Sequence, residues 1–313
     1  MIREMLAVDE CGLDLSHVEV LVSRSREDWL QLRSVSGLGG SNIAAALGKS
    51  DWLGPYGLWL ELTTGTRAPT RIRNARNGEL LEPGIAAIYA EETDRQVLRF
   101  PPHTIIRNPS IPGLFFSPDF LCLDAGDGMG PGVIDAKTWE GAKLDDIPEG
   151  YRLQIEVGIL VMGWQWGEIA AQRGREQTRF RVERDEARLV ALREGAEKFL
   201  ELVRTRVPPD MDGTEGTTDA IAAVNGEPVP QKKIVLPVEY ATLLEQVRAL
   251  QEEEKAAAAA VEAAKNRFRI AIGDAESFTI AGSPRKGSFK PQVSNVRAHV
   301  RRSRPLILPG ADA

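Results

Sequence analysis

The segment 115–139, FFSPDFLCLDAGDGMGPGVIDAKTW, constrains this chain more than any other stretch. It reads as a β-hairpin. FFSPDFLCL and GVIDAKTW have the apolar and aromatic content of strands, and GDGMGPG between them is turn chemistry. Successive side chains along a strand point to opposite faces. Asp135 and Lys137 therefore share one face, while Ile134 and Ala136 point the other way into a core. Asp119 stands early on the first strand, where a hairpin brings it beside Asp135. Two carboxylates and one ammonium then converge.

That set suits phosphodiester hydrolysis. Mg²⁺ prefers carboxylate oxygens and gives up its waters reluctantly. It activates a water and neutralises charge on a scissile phosphate. A lysine beside it orients the water or stabilises the transition state. The same residues also fit a plainer reading, with Pro-Asp in a turn and Asp-x-Lys on a solvated strand face. The neighbouring segments decide between the two.

A chain of 313 residues, 42% hydrophobic and 27% charged, has room for one domain of about 200 residues and an appendage. No run of 18 apolar residues is present, so no membrane helix is expected. The first residues, MIREMLAVDECGLDL, are acidic and lack an apolar signal core, so secretion is not expected. The two cysteines, Cys11 and Cys122, have no zinc-binding spacing and point to a reduced, cytoplasmic protein. With only His17, His103 and His299 available, carboxylates must do any metal chemistry. The net charge of −6 neither announces nor excludes a nucleic-acid partner, because local fields matter more than the sum. The basic residues cluster late: 277–311 holds no Asp or Glu but carries Arg285, Lys286, Lys290, Arg297, Arg301, Arg302 and Arg304.

In chain order, 1–25 reads as a loose N-terminal arm. SREDWLQLR (25–33) is a short helix capped by Ser25. In SGLGGSNIAAALG, Gly37, Gly39 and Gly40 allow a tight approach, and Ser41 is placed to cap the helix that follows. Residues 55–63 form a helix with Pro55 in its first turn and Gly65 at its end. Residues 74–94 form a longer helix that starts or kinks at Pro83, with Glu82 beside its apolar stripe. Strands follow at 96–100 and 104–108, then the hairpin. The apolar helix 149–164 puts Tyr151 and Gln154 on one face, and little of it is left for water. A second hairpin covers 166–184, and a long amphipathic helix, 186–207, closes the domain. Residues 208–236 have linker composition. From about 237 to 272, Tyr240, Leu243, Val247, Leu250, Glu254, Ala257, Val261, Ala264 and Phe268 keep a three–four spacing. That is a heptad seam whose only polar member is Glu254. A short hairpin and a basic tail follow. The boundaries expected are an arm 1–25, a domain 26–207, a linker 208–236, a helical extension 237–275 and a basic tail 276–313.

GGSN opening a helix, then GELLEP, SPDF, DAK and YRLQIEVGILVMG, in that order, resemble the YqaJ viral recombinase family. This is the lambda-exonuclease-like branch of the PD-(D/E)xK nucleases. The resemblance covers roughly 28–205. It implies an α/β fold with a mixed sheet flanked by helices, and a Mg²⁺-dependent exonuclease, with Mn²⁺ as a substitute and one or two ions bound. It implies 5′-to-3′ digestion of linear double-stranded DNA from its ends, leaving 3′ overhangs. It further implies a single-strand annealing partner of RecT or Bet type, a ring-shaped homo-oligomer such as a trimer, and a phage or prophage protein in the host cytoplasm. Carried over by motif, Glu82 matches the helix glutamate, and Asp119 and Asp135 the metal carboxylates. The carbonyl of Ala136 completes the metal shell, Lys137 is the catalytic lysine, and Gln154 supports it. Ser41, Ser117 and Arg33 stand where relatives hold a 5′-phosphate, with Tyr151 nearby on the helix of Gln154. The usual GGSD is GGSN here, so Asn42 lacks a carboxylate, and Asp135 stands where many members have Glu. Two rivals share the core: an endonuclease of restriction or repair type, and a non-catalytic DNA-binding protein. The Asp119, Asp135 and Lys137 set argues against the second.

Overall fold

The structure, a computed structural model, describes residues 2–4, 12–67, 69–124, 126, 128–139, 146–282 and 286–288. Two compact units divide the chain, Met1–Pro228 and Val229–Ala313.

In chain order the first unit runs β1 (Ile2–Glu4), β2 (Glu19–Val22), α1 (Arg26–Ser36), β3 (Leu38–Gly39), α2 (Gly40–Ala46), α3 (Pro55–Thr64) and α4 (Pro69–Thr93). It continues with β4 (Val97–Arg99), β5 (Thr104–Arg107), β6 (Leu114–Phe116), β7 (Phe120–Cys122), β8 (Gly132–Thr138), α5 (Glu149–Met162), β9 (Trp166–Arg173), β10 (Glu176–Glu183), α6 (Glu186–Thr205) and α7 (Glu215–Asn225). The second unit holds α8 (Glu239–Ile272), β11 (Ser277–Thr279) and β12 (Lys286–Ser288). This is a mixed α/β fold. Its larger sheet has the order β1-β4-β7-β8-β9-β10, its smaller one β2-β5-β6-β3, and β11 pairs with β12 alone.

Alternation along the central strands sets the layers. Val133 and Leu121 join one apolar cluster with Ile155 and Ile159 of α5, while Ile134, Ala136 and Phe120 join another with Ile85, Ala86 and Tyr89 of α4. The larger sheet is thus covered on one side by α5 and on the other by α4. Asp135, between Ile134 and Ala136, projects toward α5. Both expected hairpins are present: β7 pairs antiparallel with β8, and β9 with β10.

Four expectations are corrected. FFSPDFLCL is not one strand: Leu114–Phe116 belongs to the smaller sheet and Phe120–Cys122 to the larger, with Ser117, Pro118 and Asp119 crossing between them. Pro118 has no N–H to give a ladder, so the strand ends there. The N-terminal stretch is not a loose arm, because β1 pairs parallel with β4 and β2 antiparallel with β5. Of the two readings of Pro83, the helix start is the one overturned, since Pro83 lies inside α4. Burial of Ile85, Ala86, Tyr89 and Ala90 against the sheet outweighs a local cost of about 3 kcal/mol.

The fourth correction concerns 208–236, which is not all linker. The N-cap of α3 is Gly54, which has no side chain to satisfy the exposed N–H groups of the first turn. Residues distant in sequence supply the acceptors. Thr214 Oγ1 accepts from Gly54 N (2.9 Å), Asp212 Oδ2 from Tyr56 N (3.1 Å) and Thr217 Oγ1 from Gly57 N (3.1 Å). The Asp and Thr that give the stretch its linker composition are the caps. Thr214 also caps α7 itself, through the N–H of Thr217.

Thr217 is 1% exposed, so Thr217→Val leaves the Gly57 N–H buried without an acceptor. The expected loss is about 1–3 kcal/mol of unfolding free energy in urea titration. A loss under a few tenths of a kcal/mol would show that this cap is dispensable.

Candidate active site

The site is assembled where the smaller sheet hands the chain to the larger one. Ser117 Oγ donates to the carbonyl of Thr104 (2.7 Å). The β7–β8 ladder ends at Phe120 opposite Ile134. Beyond it, the carboxylate of Asp119 takes the place of a strand and accepts the N–H of Ala136 (3.0 Å). A side chain from the crossover is thereby tied to the backbone of the strand that carries Asp135 and Lys137.

Asp135 is 4% exposed. Its Oδ1 accepts from Gln154 Nε2 (2.6 Å) and its Oδ2 lies 2.6 Å from Lys137 Nζ. Burial, then the charges of Asp135 and Glu82, push the Asp119 carboxyl well above the usual range; Lys137 and the Ala136 N–H oppose this without cancelling it. Burial works against the Lys137 ammonium, but Asp135 and Asp119 outweigh it and hold the group protonated beyond its ordinary range. The Tyr151 ring lies 5.6 Å from Lys137 Nζ.

A cleft of about 470 Å³ opens over these groups, lined by Glu82, Asp119, Ala136, Lys137, Tyr151 and Gln154. Arg33, Ser41 and Ser117 line the same cleft. Arg33 stands near the rings of Trp29 (4.6 Å) and Phe115 (5.0 Å) and donates from Nη2 to Ser41 Oγ (2.9 Å). All ten candidate site residues therefore belong to one constellation: nine line the cleft, and Asp135 is held beneath it by Gln154 and Lys137.

Three roles differ from expectation. Gln154 hydrogen-bonds Asp135 rather than Lys137, because Asp135 points straight at α5. Ser41 does not cap its helix; it is inside α2, whose N-cap is Gly39. Ser117 has its hydroxyl proton committed to Thr104 and is left as an acceptor.

The glycine run explains how α2 reaches the site. Gly37 has φ +102°, and a Cβ there would fall 2.1 Å from the Gly113 carbonyl oxygen. A Cβ on Gly40 would lie 2.9 Å from Gln154 Cγ and 3.1 Å from its carbonyl oxygen. Only glycine lets α2 begin this close to the helix that holds Asp135.

Sequence reading missed Trp29, Arg99 and His103, which also line the cleft. Trp29 was findable, since it precedes Arg33 by one helical turn. His103, with φ +65° and its ring 5.8 Å from that of Trp29, left no signal in the sequence.

Among the described residues, no group of three or more His, Cys, Asp or Glu side chains is gathered tightly enough to hold a metal by itself. The residues still fit a hard divalent cation. Asp119 stands in the fields of Asp135 and Glu82, which a cation would relieve, and such an ion keeps several waters beside one or two carboxylates.

A mixed sheet flanked by helices, with an acidic residue entering one strand and Asp-x-Lys on the next, is the arrangement expected of the PD-(D/E)xK fold. Residues 28–165 match the family model described as the YqaJ-like viral recombinase domain. The uncharacterized protein YqaJ of Bacillus subtilis (strain 168) is 24% identical over 288 residues, spanning 87% of this chain and 85% of that protein. Among solved structures, the alkaline exonuclease LHK-Exo from Laribacter hongkongensis aligns at 22% identity over 57% of this chain and 93% of its own, with a TM-score of 0.45. Its complex with dAMP aligns equally.

Gly40→Ala is expected to push Gln154 off Asp135 and weaken Mn²⁺ binding by several-fold in calorimetry, while leaving the chain folded. Wild-type affinity in this variant would mean that Gln154 has room to spare and that the close approach is only a packing feature.

Proposed function

We propose that this chain is a metal-dependent deoxyribonuclease that digests linear duplex DNA from its ends. The observation that carries the reading is the convergence of Asp119, Asp135 and Lys137 in a cleft that also holds the Arg33–Ser41 pair. Asp119 and Asp135, with the carbonyl of Ala136, would hold the divalent ion. Mg²⁺ is the physiological candidate and Mn²⁺ a substitute. When bound, the ion supplies a more acidic water and neutralises charge on the scissile phosphate.

The chain's own groups do the rest. Gln154 fixes the rotamer of Asp135. Lys137, held protonated, donates to the attacking water or to a non-bridging phosphate oxygen as charge builds there. Tyr151 sets its ring beside the ammonium. Arg33 is a planar donor, its guanidinium set among rings and pointed at Ser41, which suits a terminal phosphate. An anion seat beside the hydrolytic groups is what makes the reading end-dependent. It favours an exonuclease over an endonuclease, and the terminal phosphate would be the 5′ one. Digestion then runs 5′ to 3′ and leaves 3′ overhangs, which a single-strand annealing protein would use in recombination. Contacts to phosphates carry no base information, so cutting is independent of sequence.

The deciding experiment supplies Mg²⁺ with linear duplexes labelled at either end, with and without a 5′-phosphate, beside closed circular duplex and a chelator control. Loss of 5′ label first, no cutting of the circle and no cutting in chelator are expected. Equal cutting of the closed circle would replace the exonuclease with an endonuclease.

Two variants separate the roles. Lys137→Ala is expected to lower turnover about 10²–10³-fold with duplex affinity nearly unchanged, as for a group that acts on developing charge. Retention of more than about a tenth of turnover would take Lys137 out of the chemistry. Arg33→Ala is expected to remove most of the preference for a 5′-phosphorylated over a 5′-hydroxyl end. An unchanged preference would move the anion seat elsewhere.

A further inference from the structure

Helix α8 carries its apolar seam in the open. Tyr240, Leu243, Leu250, Val261 and Phe268 are each 46–63% exposed, and no residue of the helix is buried. Phe278 of β11 touches Phe268 at one end, with ring centroids 5.8 Å apart, and still leaves Phe268 51% exposed. A helix of 34 residues is about 50 Å long at 1.5 Å per residue, enough for a stable paired seam.

Two features of the seam say what covers it. The first is charge. The half from 239 to 254 holds Glu239, Glu245, Glu252, Glu253 and Glu254 against the single cation Arg248. The half from 255 to 272 holds Lys255, Lys265, Arg267 and Arg269 against the single anion Glu262. Several of these charges pair along the helix, Arg248 with Glu245 and Lys265 with Glu262 among them. The imbalance between halves remains. A second helix laid parallel and in register would set acidic half against acidic half and place Glu254 on its own copy. Laid antiparallel, it sets acidic against basic.

The second feature is size. With the two helices antiparallel and fully overlapped, the core layers pair Tyr240 with Ala271, Leu243 with Phe268, Val247 with Ala264, Leu250 with Val261 and Glu254 with Ala257. In four of these five layers a wide side chain meets a narrower one, and the polar Glu254 meets a methyl group beside the helix mid-point, where its carboxylate reaches solvent. Parallel pairing would stack Tyr on Tyr and Ala on Ala, leaving the seam alternately overfull and empty.

We infer that α8 is a self-recognition surface, and that two copies of this chain pair through it as an antiparallel two-helix coil. The contact is isologous, so it closes as a two-fold. It joins two nuclease units by their C-terminal extensions and does not depend on the activity proposed for the cleft.

The test uses the full chain with Cys11→Ser. Cys122 stays, because it is fully buried and burial pushes its thiol up to about 11, leaving it unreactive at neutral pH. Leu250→Cys and Val261→Cys are made as separate chains and treated with a short bis-maleimide, each alone and after mixing with subunit exchange. The antiparallel pairing puts residue 250 beside residue 261 of the second copy and holds each residue more than about 15 Å along the axis from its own copy. A covalent dimer is therefore expected from the mixture, and not from either single variant. Dimers from each single variant alone would mean parallel pairing and overturn the proposal. The absence of any covalent dimer in the mixture would overturn it too, by removing the second copy from the seam.

Discussion

Like charge forced together is the constraint this structure is built around. Burial first, then the charges of Asp135 and Glu82, raise the carboxyl of Asp119, with Lys137 set against Asp119 and Asp135. Asp135 is buried, and burying such a charge without compensation costs several kcal/mol. The fold offsets that cost only in part, with the Ala136 N–H on Asp119 and the Gln154 amide on Asp135. What remains is a standing demand for a cation. Under the function proposed above, that excess of negative charge would lower the stability of the empty protein and favour a bound divalent ion.

A demand of that kind is useful only if the carboxylates cannot move apart, and much of the domain is devoted to preventing it. Helix α5 carries Tyr151 and Gln154. It is pinned from α6 by Arg188, which reaches Glu149 (2.8 Å) at its start and Glu156 (2.5 Å) two turns on. On the opposite side of the sheet, α4 carries Glu82. Its Tyr89 hydroxyl donates to Glu168 of β9 (2.5 Å), and Arg95 donates to the same carboxylate (2.9 Å). Burial and the Glu168 charge hold the Tyr89 hydroxyl far above its usual range, so it stays a donor. Helices α4 and α5 are thus each locked to the rest of the domain by a paired polar contact. The locks lie outside the cleft.

The second unit is organised on the opposite principle. Its long helix rests on intrinsic propensity, on an alanine run at 256–260 and on ion pairs along its own surface such as Lys255–Glu252. It presents apolar side chains to solvent instead of collecting them. Of the basic tail, 283–285 and 289–313 lie outside the described residues.

How far the sequence reaches depends on whether the signal is local. Asp135, Lys137 and the period of two between them were legible because strand geometry places side chains by parity, whatever the strand packs against. The Ser25 cap, the Gly65 stop and the apolar run of α5 were legible for the same reason. The crossover at Ser117–Asp119, the strands built from the first 22 residues, and the caps lent to α3 by Asp212, Thr214 and Thr217 were not. Each of these depends on a partner far along the chain, and composition carries no record of who that partner is. The sequence by itself determined which groups could do chemistry here. Only the tertiary structure decided that Gln154 serves Asp135, that Arg33 turns between two rings toward Ser41, and that Trp29 and His103 share the cleft. Those outcomes follow from which surfaces pack together, and packing is a property of the whole chain.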